Sequence, residues 1–134
     1  MADLYDRVRE LDARIQAYDK EIHELFREDE RSRRIEKVEG IGPLVATAIV
    51  AAVGNGSAFK DGRQLSAWLG LVPRQHATGG RERLPGISKR GDRYIRTLLI
   101  HGARSVVRYA EKKTDPRSRW INAIKARRGA HAAP

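Results

Sequence analysis

Two hydroxyls stand where a phosphodiester can be attacked or held. Thr78 and Ser88 lie in a segment with Arg74, Arg81, Arg83, Lys89, Arg90, Arg93 and Arg96, opposed only by Glu82 and Asp92. A hydroxyl can act as a nucleophile when nearby cations stabilise the charge that develops. The same residues also suit simpler tasks, Thr78 as a turn residue and Ser88 as a cap or phosphate contact. Gly79, Gly80, Gly86 and Gly91 remove side-chain bulk between the charges, so the segment can follow a phosphate backbone. The alternative is a long solvated loop.

A second phosphate-type element lies upstream. Gly40-Ile41-Gly42, with Val38 before it and Ala46 after it, has the form of a helix-hairpin-helix turn. Glycines let the backbone turn tightly, and amides at the next helix start can hold a phosphate. An ordinary turn between two helices reads the same way. No metal site is expected. The chain lacks cysteine, its four histidines (His23, His76, His101, His131) are scattered, and no carboxylate set converges on the basic half.

Charge separates the chain into two parts. Residues 1–34 hold 8 basic and 10 acidic side chains, and residues 35–134 hold 19 basic and 7 acidic. A net charge of about +12 on the second part repels itself unless a polyanion is near, and nucleic acid is the obvious one. The lack of cysteine suits the cytosol. The start, MADLYDRVRE, has no signal-peptide core, and no apolar run reaches the ~20 residues that span a bilayer. A cytoplasmic, non-membrane protein is expected.

The elements that must position these groups read as helices. Residues 3–33 contain neither Pro nor Gly. Leu4, Val8, Leu11, Ile15, Tyr18, Ile22 and Leu25 form a strict heptad, with Val8, Ile15 and Ile22 at a and the others at d. Its next slots are Asp29 and Ser32, so the seam ends there. Either a coiled coil or one amphipathic helix on its own domain fits this pattern. A short helix ending near Val38, a helix over 44–53 started by Pro43, and one over 62–69 follow. Residues 71–91 show no helical period and read as an irregular basic loop. A helix from Asp92 to about Lys112 places Ile95, Leu98, Leu99, Gly102, Ala103, Val106 and Ala110 inward and Arg93, Arg96, Arg104 and Arg108 outward. A last helix over 117–128 packs Trp120, Ile121 and Ile124, with Trp68 and Trp120 anchoring small clusters. The fold class is therefore all-α: a coiled-coil helix (1–34), a small helical domain with a helix-hairpin-helix-like element and a long basic loop (35–128), and a tail (129–134).

VEGIGPLVATAIVAAVG, FKDGRQLSAWLGLVPRQHATGG and GISKRGDRYIRTLLIHGARSV, taken together, resemble the C-terminal domain of Piv-like insertion-sequence transposases, the IS one-ten group of bridge RNA-guided recombinases. The resemblance covers residues 35–128, and the heptad helix matches the coiled coil that precedes that domain in the family. It implies DNA transposition and recombination through a hydroxyl nucleophile, with DNA and a structured guide RNA as partners and subunits paired through the N-terminal helix as a dimer or higher oligomer. Thr78 falls on the family's serine position, in His76-Ala77-Thr78-Gly79. Ser88, in the ISKRGD motif, is implied to shape the site or touch DNA. The family's divalent metal, of the magnesium type, belongs to a RuvC-like domain that residues 1–34 do not resemble, so no cofactor is expected here. The chain also stops at RRGAHAAP, where relatives continue with a further apolar helix. The expectation is a shortened transposase that binds DNA and is inactive alone, or a dimerising regulatory or structural nucleic-acid-binding protein.

Overall fold

The computed structural model describes residues 2–74, 76–78, 81–83 and 86–129, and the chain falls into two compact units, Met1–Asn55 and Gly56–Pro134. The all-α expectation holds, with one short hairpin added.

The first unit contains α1 (Ala2–Glu28), α2 (Glu30–Glu36) and α3 (Pro43–Val53). The long helix breaks where the heptad runs out. Asp29 leaves helical geometry (φ −94°, ψ 110°) and its carboxylate accepts a hydrogen bond from the Arg31 amide at 2.8 Å. That cap satisfies one of the open N–H groups that begin α2. The Arg31 guanidinium on the same carboxylate (2.7 Å) holds the Asp29 pKa below its ordinary value.

α2 passes to α3 through a hydrogen-bonded turn. Val38 N–H donates to Ile35 O, Ile41 N–H donates to Val38 O, and Gly40 takes a left-handed φ of 87°. Gly42 caps α3 in extended geometry, and Pro43 follows with the fixed φ that suits a first helical turn. α3 packs on both α1 and α2. Ala46 and Ser32 are almost fully buried, small residues that let the helices approach closely. Along α1 only Ile22 and Phe26 lose much exposure. The rest of the seam, Leu4, Val8, Leu11, Ile15, Tyr18 and Leu25, remains 42–71% exposed.

The second unit contains α4 (Gly62–Trp68), β1 (His76–Thr78), β2 (Arg81–Arg83), α5 (Arg93–Tyr109), a 3-10 turn (Ala110–Lys112) and α6 (Pro116–Arg128). Asp61 caps α4 by accepting from Gln64 N–H, while the Gln64 side chain accepts from Lys60 N–H. Trp68 meets Phe59 edge to face with ring centroids 5.6 Å apart, the small cluster expected at this tryptophan. The core is small: Leu69, Ile95, Ala110 and Ile121. α5 and α6 pack on each other and on the turn between them. The inward stripe of α6 is Ser118, Ile121, Asn122, Ile124 and Lys125, so Ile121 and Ile124 pack as expected. Trp120 stands off that stripe and is 55% exposed, so it does not anchor the last helix as expected.

Candidate nucleic-acid interface

The described residues between 71 and 91 pair as a folded arm where an irregular loop was expected. Its root is a backbone ladder: Lys89 N–H donates to Gly70 O (3.0 Å), Ser88 N–H to Val72 O (2.8 Å) and Arg74 N–H to Gly86 O (3.0 Å). Pro73 pairs with Ile87 in antiparallel sense. Further out β1 and β2 pair antiparallel, His76 with Arg83, Ala77 with Glu82 and Thr78 with Arg81. A signal for this existed in the sequence. Gly79-Gly80 between two short polar arms is a two-residue hairpin pattern.

The root is joined to α4 and α5 by unusually close backbone contact. A Cβ on Gly91 would stand 1.9 Å from Trp68 O, and one on Gly70 would stand 2.7 Å from the Arg90 and Gly91 nitrogens. Gly70 also has a φ of +70°. No other residue type fits either place without moving the backbone.

Arg96 completes the joint, and here the expectation is corrected. It was placed on the wet, phosphate-facing side of its helix. It is instead 8% exposed. Its Nη1 donates to Leu69 O (3.0 Å), Gly91 O (3.0 Å) and Asp92 O (3.5 Å). The carbonyl end of α4 and the turn into α5 make an electronegative socket, and one guanidinium nitrogen, Nη1, is shared among its carbonyls. Asp92 caps α5 through Ile95 N–H at 2.8 Å, as its position implied.

The other cations of the set stand outside this joint. Arg74, Lys89, Arg90 and Arg93 are exposed. The Arg74 Nε lies 3.4 Å from Ser88 O, which draws its side chain across to the strand that carries Lys89. Lys89 holds a left-handed φ of 58°, a conformation that disfavours a side chain. Ser88 is half-buried. Thr78, Arg81 and Arg83 sit on the paired strands, with Thr78 opposite Arg81. Gly79 and Gly80 lie outside the described residues. Gly40 and Gly42 belong to the other unit, where an added Cβ on Gly42 would meet nothing within 4 Å. The backbone there is open to an approaching group.

Residues 32–119 match the sequence profile of the transposase IS116/IS110/IS902 family. The chain belongs to that family. The match falls on the region that the sequence motifs singled out. Among curated relatives, a Pseudomonas aeruginosa protein carrying the name "Probable family 20 transposase" is 53% identical over 98% of this chain and 39% of its own length. The transposase for insertion sequence element IS1111A of Coxiella burnetii is 44% identical over 97% of this chain and 36% of its own. The transposase for insertion sequence element IS1328 of Yersinia enterocolitica is 35% identical over 81% of this chain and 32% of its own. This transposase-family chain thus spans less than two-fifths of the length of these relatives. Among the described residues, no group of three or more His, Asp or Glu is placed so that it could hold a metal ion. No helix among them is long and apolar enough to cross a membrane.

Proposed function

We propose that this chain is the nucleic-acid-binding part of an insertion-sequence transposase, acting on DNA in the cytoplasm, with the root of the arm as its principal contact. One observation carries the reading. Four exposed cations, Arg74, Lys89, Arg90 and Arg93, are presented from a joint whose backbone is locked by Gly70, Gly91 and Arg96. A backbone already held in place leaves only side-chain freedom to be lost on meeting phosphates, which favours binding. Arg81 and Arg83 on the arm, and the Gly40–Gly42 turn in the first unit, extend the same role. Thr78 takes the nucleophile's position by resemblance, and no metal-dependent step is assigned to these residues. A structured guide RNA is a second polyanion of the same chemistry.

The test is a salt titration of binding to labelled duplex DNA with the whole chain. Each phosphate neutralised contributes about −0.9 to the slope of log K against log salt. The reading expects a steep negative slope that flattens by about two in Arg74→Gln/Lys89→Gln. Absence of binding at low salt overturns it.

A second reading, self-association through α1, is favoured by the exposed seam from Leu4 to Tyr18. A 27-residue helix carrying such a stripe is normally covered by another helix.

A further inference from the structure

The two sides of α5 are unequal in burial and in chemistry. Ile95, Leu98, Leu99, Gly102 and Val106 are buried or half-buried. The opposite arc is exposed throughout. At about 100° per residue, Arg93, Arg104, Thr97, Arg108, His101 and Tyr94 follow one another around it. Each carries a polar group that can meet a phosphate oxygen, and none is acidic or aliphatic.

A helix face that is merely solvated normally mixes charge signs. Here α5 carries four arginines, α6 carries five cations, and neither helix contains an acidic residue. The acids that flank them already have partners other than Arg93, Arg104 and Arg108. Asp92 accepts from Ile95 N–H, Glu111 pairs with Lys125, and Asp115 accepts from Ser118. Arg93, Arg104 and Arg108 enter no ion pair among the described residues. The cationic row from Arg93 to Arg108 runs about 22 Å along the helix axis, at about 1.5 Å per residue.

We infer that this face of α5 is a further DNA contact, lying along the backbone of a duplex and continuing the interface from the arm root through Arg93. The inference rests on the nucleic-acid-binding reading above. A duplex fits better than a single strand. Proteins that hold single strands stack successive bases on aromatic platforms, and this arc has no tryptophan or phenylalanine and only Tyr94, at its edge, and His101. Contacts of this type position the protein on DNA without reading bases.

The experiment measures binding of the whole chain to two labelled duplexes of unrelated sequence, and to single strands, across a salt series. Arg104→Gln/Arg108→Gln is compared with Arg104→Lys/Arg108→Lys and with the arm-root pair Arg74→Gln/Lys89→Gln. The glutamine pair on α5 is expected to lower the salt slope by nearly two on both duplexes, with helix content by circular dichroism unchanged. The lysine pair keeps the slope. An unchanged slope in the α5 glutamine pair, while the arm-root pair flattens it, overturns the α5 contact and leaves the wider reading standing. A wild-type chain that does not bind overturns both. A loss confined to single strands overturns the assignment to duplex.

Discussion

The Arg96 guanidinium donates to the Leu69 carbonyl at 3.0 Å, across 27 positions of sequence. That bond, with its companions to Gly91 O and Asp92 O, fastens the end of α4 to the start of α5. Arg96→Met removes the side-chain donor from the buried Leu69 carbonyl and from Gly91 O, while Asp92 O keeps its bond from the Arg96 amide. An unsatisfied buried acceptor costs about 1–3 kcal/mol. The variant is expected to melt well below wild type in a thermal scan, and Arg96→Lys to recover only part, since its ammonium sits on a shorter side chain and is more strongly hydrated. An unchanged melting temperature in Arg96→Met removes Arg96 from the joint.

Gly91 and Gly42 make opposite predictions. Gly91→Ala drives a methyl into the Trp68 carbonyl, so the arm root and α4 must separate. Overpacking of this kind costs about 1–3 kcal/mol or more. Gly42→Ala meets open space at an extended φ of −99°, and its melt is expected to stay within experimental scatter of wild type. Equal behaviour of the two contradicts the packing described.

Lys89 allows binding and folding to be told apart. A side chain in the left-handed region costs about 1 kcal/mol relative to glycine. Lys89→Gly is therefore expected to hold or raise stability while lowering the salt slope of DNA binding by about one. A variant that loses binding only because it unfolds shows the reverse order in denaturant titration.

Acid sensitivity follows from the α6 cap. Asp115 accepts from Ser118 Oγ and from Ser118 N–H, and these bonds hold its carboxyl below the ordinary aspartate value. The sign follows from the lowered folded pKa. The contribution is whole above the ordinary aspartate range and is lost as pH falls through that range to the depressed folded value. Asp115→Asn keeps an acceptor that does not titrate there. Its denaturant midpoint is expected to vary less with acid pH than that of wild type.

The α1 seam gives the last prediction. Ile15→Glu places a charge in the middle of the exposed stripe. If α1 self-associates, sedimentation of the wild-type chain shows a mass that rises with concentration, and the variant remains monomeric with its helix content intact. A wild-type monomer at the highest attainable concentration rules out the second reading.

Much of the helical order is legible in the residues. The heptad slot that falls to Asp29 marks the end of α1, because a polar residue there gives no seam and makes a good cap. Pro43, Asp92 and Asp115-Pro116 mark starts for equally local reasons. The arm is harder to read. Its ladder joins residues 70–74 to 86–89, and such pairing depends on partners distant in sequence rather than on side-chain period. The burial of Arg96 is not legible at all. Helical spacing gives its direction on α5, but the carbonyl socket belongs to α4. Trp120 fails for a related reason: bulk suggests a core, while the inward face of α6 is chosen by what α5 and the 3-10 turn leave room for.

The arm is seated at its root by glycines and main-chain hydrogen bonds, which take no information from side chains further out. Residues 76–83 are thus free to diverge in evolution without unseating α5. A chimera carrying a relative's 76–83 segment should keep this chain's melting temperature while its DNA preference follows the donor.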